Sequence, residues 1–373
     1  MSLLNQAPRF DAAAAARLAR DMYGLDASAA SLSSERDQNF LLTTAAGDRY
    51  VLKIANAAER REMLEAQNAA MAHVAGRVPF CQRVLPTVSG EMIGVANGPG
   101  GAGRAGRAGG AGGLNGSSRF VRLVTYLDGV PLATTRARGA ALLDSLGRAV
   151  GRLDAALADF DHPAAHRDFH WDLANASRVI GEHRSRIADD HHRELVDRAS
   201  ASALEWIAPL EHAFRRTVIH NDANDWNVLV STRESQFTNP NANPESQIPN
   251  PDSVVGIIDF GDMVQSWTVA DPAVAIAYAI LDAANPMETA GAIARGYHAE
   301  HPLTDEEIAA LLPLATLRLC MSACIAAWQQ RQRPDDEYLT VSQAPIRRTL
   351  PVLAGLAPGV AGRAMRGACA SVE

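Results

Sequence analysis

Residues 218–230 read Val-Ile-His-Asn-Asp-Ala-Asn-Asp-Trp-Asn-Val-Leu-Val, and residues 254–261 read Val-Val-Gly-Ile-Ile-Asp-Phe-Gly. An Asp two places after a His, an Asn five places after that Asp, and an Asp-Phe-Gly beyond a hairpin suit the movement of a γ-phosphoryl group from a metal–nucleotide to a hydroxyl. Such a transfer asks little covalent chemistry of the protein. It needs an acceptor held in line and charge neutralised by metal ions. Asp222 is spaced to accept or orient the acceptor's hydroxyl proton, and Asn227 can turn its amide oxygen onto Mg²⁺. Asp259 would hold metal from the opposite strand. Asn and Asp also crowd ordinary surface turns, but a chance turn would not bring the apolar flanks at 217–219, 228–230 and 254–258, which read as short strands.

Other elements must present the nucleotide to that loop. Residues 39–44 and 49–55 read as strands of a hairpin whose four-residue turn contains Gly47. Lys53, between Leu52 and Ile54, resembles the lysine of a Val-Ala-Ile-Lys strand, which pairs with α and β phosphates and with a helix glutamate. A solvent-facing edge lysine is the competing reading. A helix follows at 58–76, carrying Glu59, Glu62 and Glu65. Glu65 is taken as the partner of Lys53, against the alternative of three solvated helix charges. Residues 10–23 form a further short helix, and strands follow near 91–96 and 120–127.

These stretches identify the chain as similar to the aminoglycoside phosphotransferase and choline kinase superfamily, nearest the branch of hydroxylysine kinase and homoserine-kinase-like enzymes. The resemblance is carried by Gln38-Asn39-Phe40, residues 50–54, 67–70 and 121–127, Trp171-Asp172-Leu173, residues 220–227 and residues 258–262. It implies an α+β, bilobal protein-kinase-like fold: a small nucleotide lobe with an antiparallel sheet and a helix, and a large, mostly helical lobe. It also implies transfer of the γ-phosphate of ATP or GTP, with Mg²⁺, onto a hydroxyl of a small molecule that often carries an amine. The base of the nucleotide would lie on the backbone of Thr125, Tyr126 and Leu127. Unlike protein kinases, residues 31–39 contain no glycine; the resembling small-molecule kinases meet phosphate oxygens with backbone amides and Ser or Asn side chains, so Ser33, Ser34 and Asn39 are candidates here. Related chains also occur fused to an aminotransferase-like domain.

Composition sets outer limits. A chain of 373 residues, 47% hydrophobic and 21% charged, can build two lobes with their own cores. A net charge of −7 leaves no basic excess for nucleic acid. Cys81, Cys320, Cys324 and Cys369 lack Cys-x-x-Cys spacing, and the default is buried free thiols in a reducing cytosol. Residues 1–8 lack a basic, apolar export signal, and the apolar tracts at 269–284 and 311–328 are broken by Asp271 and Arg318. A cytoplasmic protein with no membrane partner is expected.

The expected organisation is a nucleotide lobe over residues 1–127, with a flexible Gly-rich insertion at 97–118, and a catalytic and substrate lobe over 128–373, with a polar insertion at 234–253. The Gly-rich stretch lacks the Gly-Lys-Ser/Thr ending of a phosphate loop. Helices are expected at 140–160, 182–213, 273–281, 304 onward and 315–331, with Asp271 as an N-cap. The loop at 162–173 places Asp168, Trp171 and Asp172 together, an aromatic beside carboxylates that could hold an alkylammonium; packing of Trp171 into the core is the alternative. Its three histidines offer no fourth zinc ligand. Asp225 and Asp262 are further candidates for a substrate amine. The acceptor expected is an amino alcohol or hydroxy amino acid (hydroxylysine-, homoserine- or ethanolamine-like). The alternatives are an aminoglycoside-type antibiotic phosphotransferase and a catalytically silent kinase-like nucleotide-binding module.

Overall fold

The computed structural model describes residues 8–34, 37–97, 118–135, 138–231, 253–332 and 342–370. Most of both predicted insertions lies outside these residues. The chain divides into two compact units, residues 1–75 with 81–127, and residues 76–80 with 128–373. The short segment 76–80 clusters with the second unit, where Phe80 O accepts a hydrogen bond from Ile257 N at 3.0 Å.

The first unit is an antiparallel sheet carrying a helix on each side of the chain's first hairpin. Helix α1 (Ala12–Tyr23) is capped by Asp11, which accepts from Ala14 N, and stops at Gly24, whose φ of +66° suits glycine. Then come β1 (Ala27–Leu32), β2 (Gln38–Thr44), β3 (Arg49–Ile54), α2 (Arg61–Val74), β4 (Val84–Leu85), β5 (Gly94–Asn97) and β6 (Ser118–Thr125). The strand order is β1-β2-β3-β6-β4, with β5 also on β6. Alternation sorts the two faces: Phe40, Leu42, Leu52, Ile54, Val121 and Leu123 pack with Ala15, Ala19 and Met22 of α1. The register Asn39↔Lys53↔Arg122 puts a polar row across the centre of the sheet. Arg122 donates to Gln67 Oε1 at 2.7 Å and Asn68 Oδ1 at 2.9 Å, both on α2. Strand β1 takes in Ser31 and Leu32, so the connection expected over 31–39 is shorter. Its Ala and Ser residues, mostly exposed, give little alternation to read.

The second unit is mostly helical. Its elements are β7 (Val130–Pro131), α3 (Ala140–Leu157), α4 (Ala176–His183), α5 (Asp190–Ile207), β8 (Arg216–Ile219), β9 (Val228–Val230), β10 (Val254–Ile257), β11 (Val264–Trp267), α6 (Ala270–Ala279), α7 (Pro286–Glu300), α8 (Asp305–Gln330), α9 (Gln343–Ala354) and α10 (Pro358–Ala370). The expected helix at 182–213 is interrupted between α4 and α5, and the alanine- and glycine-rich tail forms α9 and α10.

The two helices expected beyond residue 304 are one. Helix α8 opens with a Thr304/Glu307 capping box and runs through Pro313 without a break. Proline at 313 cannot bond the carbonyl of Ala309, and Trp206 Nε1 supplies that missing donor at 3.2 Å. Helix α8 is long and apolar enough to cross a membrane, but its apolar window is wholly buried inside the fold. All four cysteines are buried and free; burial pushes the Cys81 thiol up to about 12.

Helices α3 and α7 cross backbone to backbone. A Cβ added at Gly147 would lie 2.0 Å from Ile293 O, and one at Gly296 would lie 2.1 Å from Asp144 O. Gly147→Ala must force the pair apart, with an expected loss of roughly 1–3 kcal/mol. An unchanged denaturation midpoint would contradict this close approach.

Candidate active site

Two strand pairs bring two turns together. Strand β8 pairs with β11 (Ile219↔Val264), and β9 pairs with β10 (Val228↔Ile257). The loop 220–227 runs from β8 to β9 and the turn 258–263 from β10 to β11, so they leave the same ends of paired strands. Hydrogen bonds join them: Ile258 N to Asn227 O at 3.0 Å, His220 Nε2 to Ile258 O at 3.1 Å, and Asn221 Nδ2 to Asp262 O at 3.3 Å. The imidazole is wholly buried, and its Nδ1 accepts Asp222 N–H at 3.3 Å. His220 therefore braces backbone in both turns and is spent on structure.

Both turns use left-handed backbone, at Asn221 (φ 64°) and Asp259 (φ 67°). Asn and Asp tolerate this better than other side chains, and such conformations persist only where surroundings enforce them. Enforcement comes from Asp271, wholly buried, whose carboxylate accepts Asn221 N–H at 2.6 Å and His220 N–H at 3.3 Å. Asp271 is not the N-cap expected of it. It lies inside the first turn of α6, whose N-cap is Val269. Arg167 braces the other turn by donating to Gly261 O and Met263 O, each at 2.9 Å.

Asp222 sits at the centre. Its Oδ1 accepts from Asn224 Nδ2 at 2.9 Å and from Arg318 at 3.0 Å, and its Oδ2 accepts from Asn227 Nδ2 at 2.7 Å. Burial, then the charge of Asp262, pushes its pKa up to about 8; Arg318 and Asn224 pull the other way, and Asp259 adds to the rise. Because the Asn227 amide nitrogen is tied to Asp222, its Oδ1 is the end left to coordinate. Asp259 accepts Gly261 N–H at 3.1 Å through Oδ1. An amide oxygen and a carboxylate are hard oxygen donors that fit Mg²⁺ completed by phosphate oxygens and water.

The substrate candidates are dispersed. The Trp171 ring is covered by the Arg318 guanidinium, 4.4 Å from its centroid, so that face is taken by a protein cation. Asp172 is buried, caps Ala174 N at 2.9 Å and accepts Ser266 Oγ. Asp168 is exposed and paired with Arg178. Asp225 pairs with Arg138 at 2.9 Å, and burial raises its pKa. Asp262 is buried next to the site, with its carbonyl accepting Asn221 Nδ2 at 3.3 Å. His162 caps Ala164 and His166 pairs with Asp161. Among the described residues no cluster of His, Cys, Asp and Glu forms a metal site.

In the first unit Lys53 is 9% exposed, in the polar row with Asn39 and Arg122. Glu65 is exposed and pairs with Arg61 at 2.9 Å, one turn away on the same helix. The buried polar residue of α2 that meets the row is Gln67. Ser33 and Ser34 are exposed. Thr125 has its N–H on Arg83 O at 2.9 Å and its carbonyl on Gln82 Nε2 at 3.2 Å, and Tyr126 lies under the Arg49 guanidinium. Arg318, Arg167 and the true task of Asp271 were not foreseen. The available signal was a charge inside an apolar run, since burial of a charge is costly unless it is paired.

Residues 28–238 match the model of the phosphotransferase enzyme family (APH). The mouse hydroxylysine kinase is 30% identical over 360 residues, covering 90% of this chain and 87% of the relative. The Xenopus laevis hydroxylysine kinase is 27% identical over 355 residues, covering 91% and 89%. Among solved structures, an amicoumacin kinase in complex with AMP-PNP and Ca²⁺ aligns with a TM-score of 0.63 at 13% identity, over 94% of this chain and 97% of that one. A microcompartment-associated aminopropanol kinase aligns at 0.62 and 16% identity, over 97% and 100%. The fold is therefore the kinase-like one expected. The chain belongs to the APH phosphotransferase family and is a small-molecule kinase that transfers phosphate to a hydroxyl compound.

Proposed function

We propose that this chain phosphorylates a hydroxyl of a hydroxy amino acid or amino alcohol, hydroxylysine-like before ethanolamine-like, with Asp222 as the proton acceptor. The observation that carries this is the donor set on Asp222. Two donors occupy Oδ1 and one occupies Oδ2, so a lone pair on Oδ2 is the one left for an acceptor hydroxyl. The match to hydroxylysine kinases over nine-tenths of the chain supports the amino-acid class.

Asn227 Oδ1 and Asp259 would hold Mg²⁺, which when bound neutralises phosphate charge as the γ-phosphoryl group moves. Lys53 would anchor phosphates, with Asn39, Ser33 and Ser34 as further phosphate contacts and the backbone of Tyr126 and Leu127 on the base. Glu65 has its own partner, which removes the reason for giving it a role here. As the acceptor oxygen bonds to the γ-phosphorus and the nucleoside diphosphate leaves, the hydroxyl proton passes to Asp222. Asp262, whose charge acts on Asp222, lies against this site and is a candidate for contact with an acceptor amine.

A panel of hydroxylysine, homoserine, ethanolamine and an aminoglycoside, each with ATP and with GTP, tests the proposal by release of nucleoside diphosphate. Hydroxylysine-like acceptors should raise release above the acceptor-free background. Stimulation by the aminoglycoside alone would replace the proposed class. No stimulation by any member, with nucleotide still bound, would favour a silent nucleotide-binding module.

A further inference from the structure

Arg318 is the feature that phosphate transfer leaves unexplained. It is 2% exposed in the middle of α8, among side chains that are otherwise largely apolar. Its fork makes two bonds to two separate segments: one amine reaches Asp222 Oδ1 at 3.0 Å, and the other reaches Trp171 O at 2.9 Å. The plane lies 4.4 Å from the Trp171 ring centroid and 5.8 Å from that of Tyr278 on α6.

A buried ion pair is a poor source of stability, because taking both charges out of water offsets most of their attraction, and apolar replacements of such pairs are often neutral or better. Packing alone therefore does not account for an arginine here. Geometry does. A carboxylate on a short side chain rotates about χ2 through a broad well, and its oxygens exchange places unless each is held by different donors. Asn227 holds Oδ2 from within the loop itself, and Asn224 holds Oδ1 from the same loop. Arg318 is the holder anchored outside the loop, on a helix, with its own orientation fixed by Trp171 O and two aromatic rings.

We infer that Arg318 is a positioning residue: it locks the Asp222 carboxylate so that one lone pair of Oδ2 faces the acceptor hydroxyl. This rests on Asp222 being the proton acceptor, as proposed above. Arg318→Met, of similar length and no charge, should lower kcat about 100-fold, the size expected when a reacting group is misplaced. The nucleotide KM should stay within about threefold of wild type, because Arg318 touches no proposed nucleotide ligand. Arg318→Lys keeps the charge but cannot bond both Asp222 and Trp171 O in one plane, so a loss of roughly tenfold is expected, with a melting temperature near wild type.

Rates are read twice for each protein, as transfer to the panel acceptors and as hydrolysis of nucleotide by water. The second readout tests Arg318 even where no acceptor in the panel is a substrate, an outcome that would count against the acceptor class and leave the Arg318 result standing. Full activity in Arg318→Lys, or a nucleotide KM that rises in step with the fall in kcat, would overturn the inference. If Arg318→Met does not fold, Arg318→Lys decides alone: a tenfold loss at unchanged melting supports the role, and wild-type turnover removes it.

Discussion

Asp222→Asn lowers the rate of phosphoryl transfer by about 10³-fold, within the range expected for loss of a general base, while nucleotide affinity changes little. The substitution preserves shape and removes only the capacity to take a proton. It also creates a local conflict. Asp222 accepts from three side-chain donors, Asn224, Arg318 and Asn227. An amide at 222 must turn an NH₂ either toward Arg318 or toward the Asn227 NH₂, and both are donors. Transfer is therefore lost by chemistry and by misplacement together. Steady-state rates with and without acceptor, beside nucleotide titration, check this. Asp259→Ala should differ by weakening metal–nucleotide binding as well. Turnover near wild type in Asp222→Asn would remove Asp222 from the chemistry.

Asp271→Ala should cost both stability and rate. It strands the backbone N–H groups of His220 and Asn221 in a wholly buried place. Each unmet buried donor costs about 1–3 kcal/mol, so roughly 2–6 kcal/mol is expected for the pair. Asn221 also loses what holds it at φ 64°, and Asp222 is the next residue. Loss of the loop's geometry should lower kcat about 100-fold in the fraction that stays folded. Behind Asp271 lies Asp154, which accepts the Tyr297 hydroxyl at 2.7 Å and is held well above the usual carboxylate range by burial and then by the charge of Asp271. The clamp thus belongs to a buried polar cluster joining α3, α6 and α7. Asp271→Asn keeps one accepting oxygen and should recover part of both losses, read by denaturant melts and rates. A variant Asp271→Ala with wild-type melting and rate would show that the loop keeps its shape without the clamp.

What could be read in the chain was local. The strand–loop–strand of 216–230 and the turn at 259–261 declare themselves because apolar flanks, spacing and Asp-Phe-Gly lie within a few residues of one another. The hairpin around Gly47 is legible for the same reason: alternation on both strands and a turn residue at φ +90°. What could not be read came from partners far along the chain. Arg318 meets Asp222 across 96 positions, and Trp171 across 147. Without them Trp171 could be read either as an aromatic face for a substrate amine or as a core residue, and Arg318 as an interruption of an apolar tract. Helix α8 was expected as two helices; Pro313 breaks a helix unless another residue serves the orphaned carbonyl, and Trp206, which serves it, lies 103 positions from Ala309. The carboxylates of 168, 172 and 225 were candidates by proximity in sequence, and each proved to be engaged by a residue that proximity could not name: Arg178, Ser266 and Arg138.

The measurement closest to the centre of this account is the mass of hydroxylysine before and after incubation with the purified chain, Mg²⁺ and ATP or GTP, run beside the Asp222→Asn protein. Gain of one phosphoryl group with the wild-type chain, and none over the same time with Asp222→Asn, is the predicted result. Equal gain with both proteins, or nucleotide consumed by the wild-type chain while hydroxylysine and its smaller amino-alcohol relatives keep their mass, would contradict it.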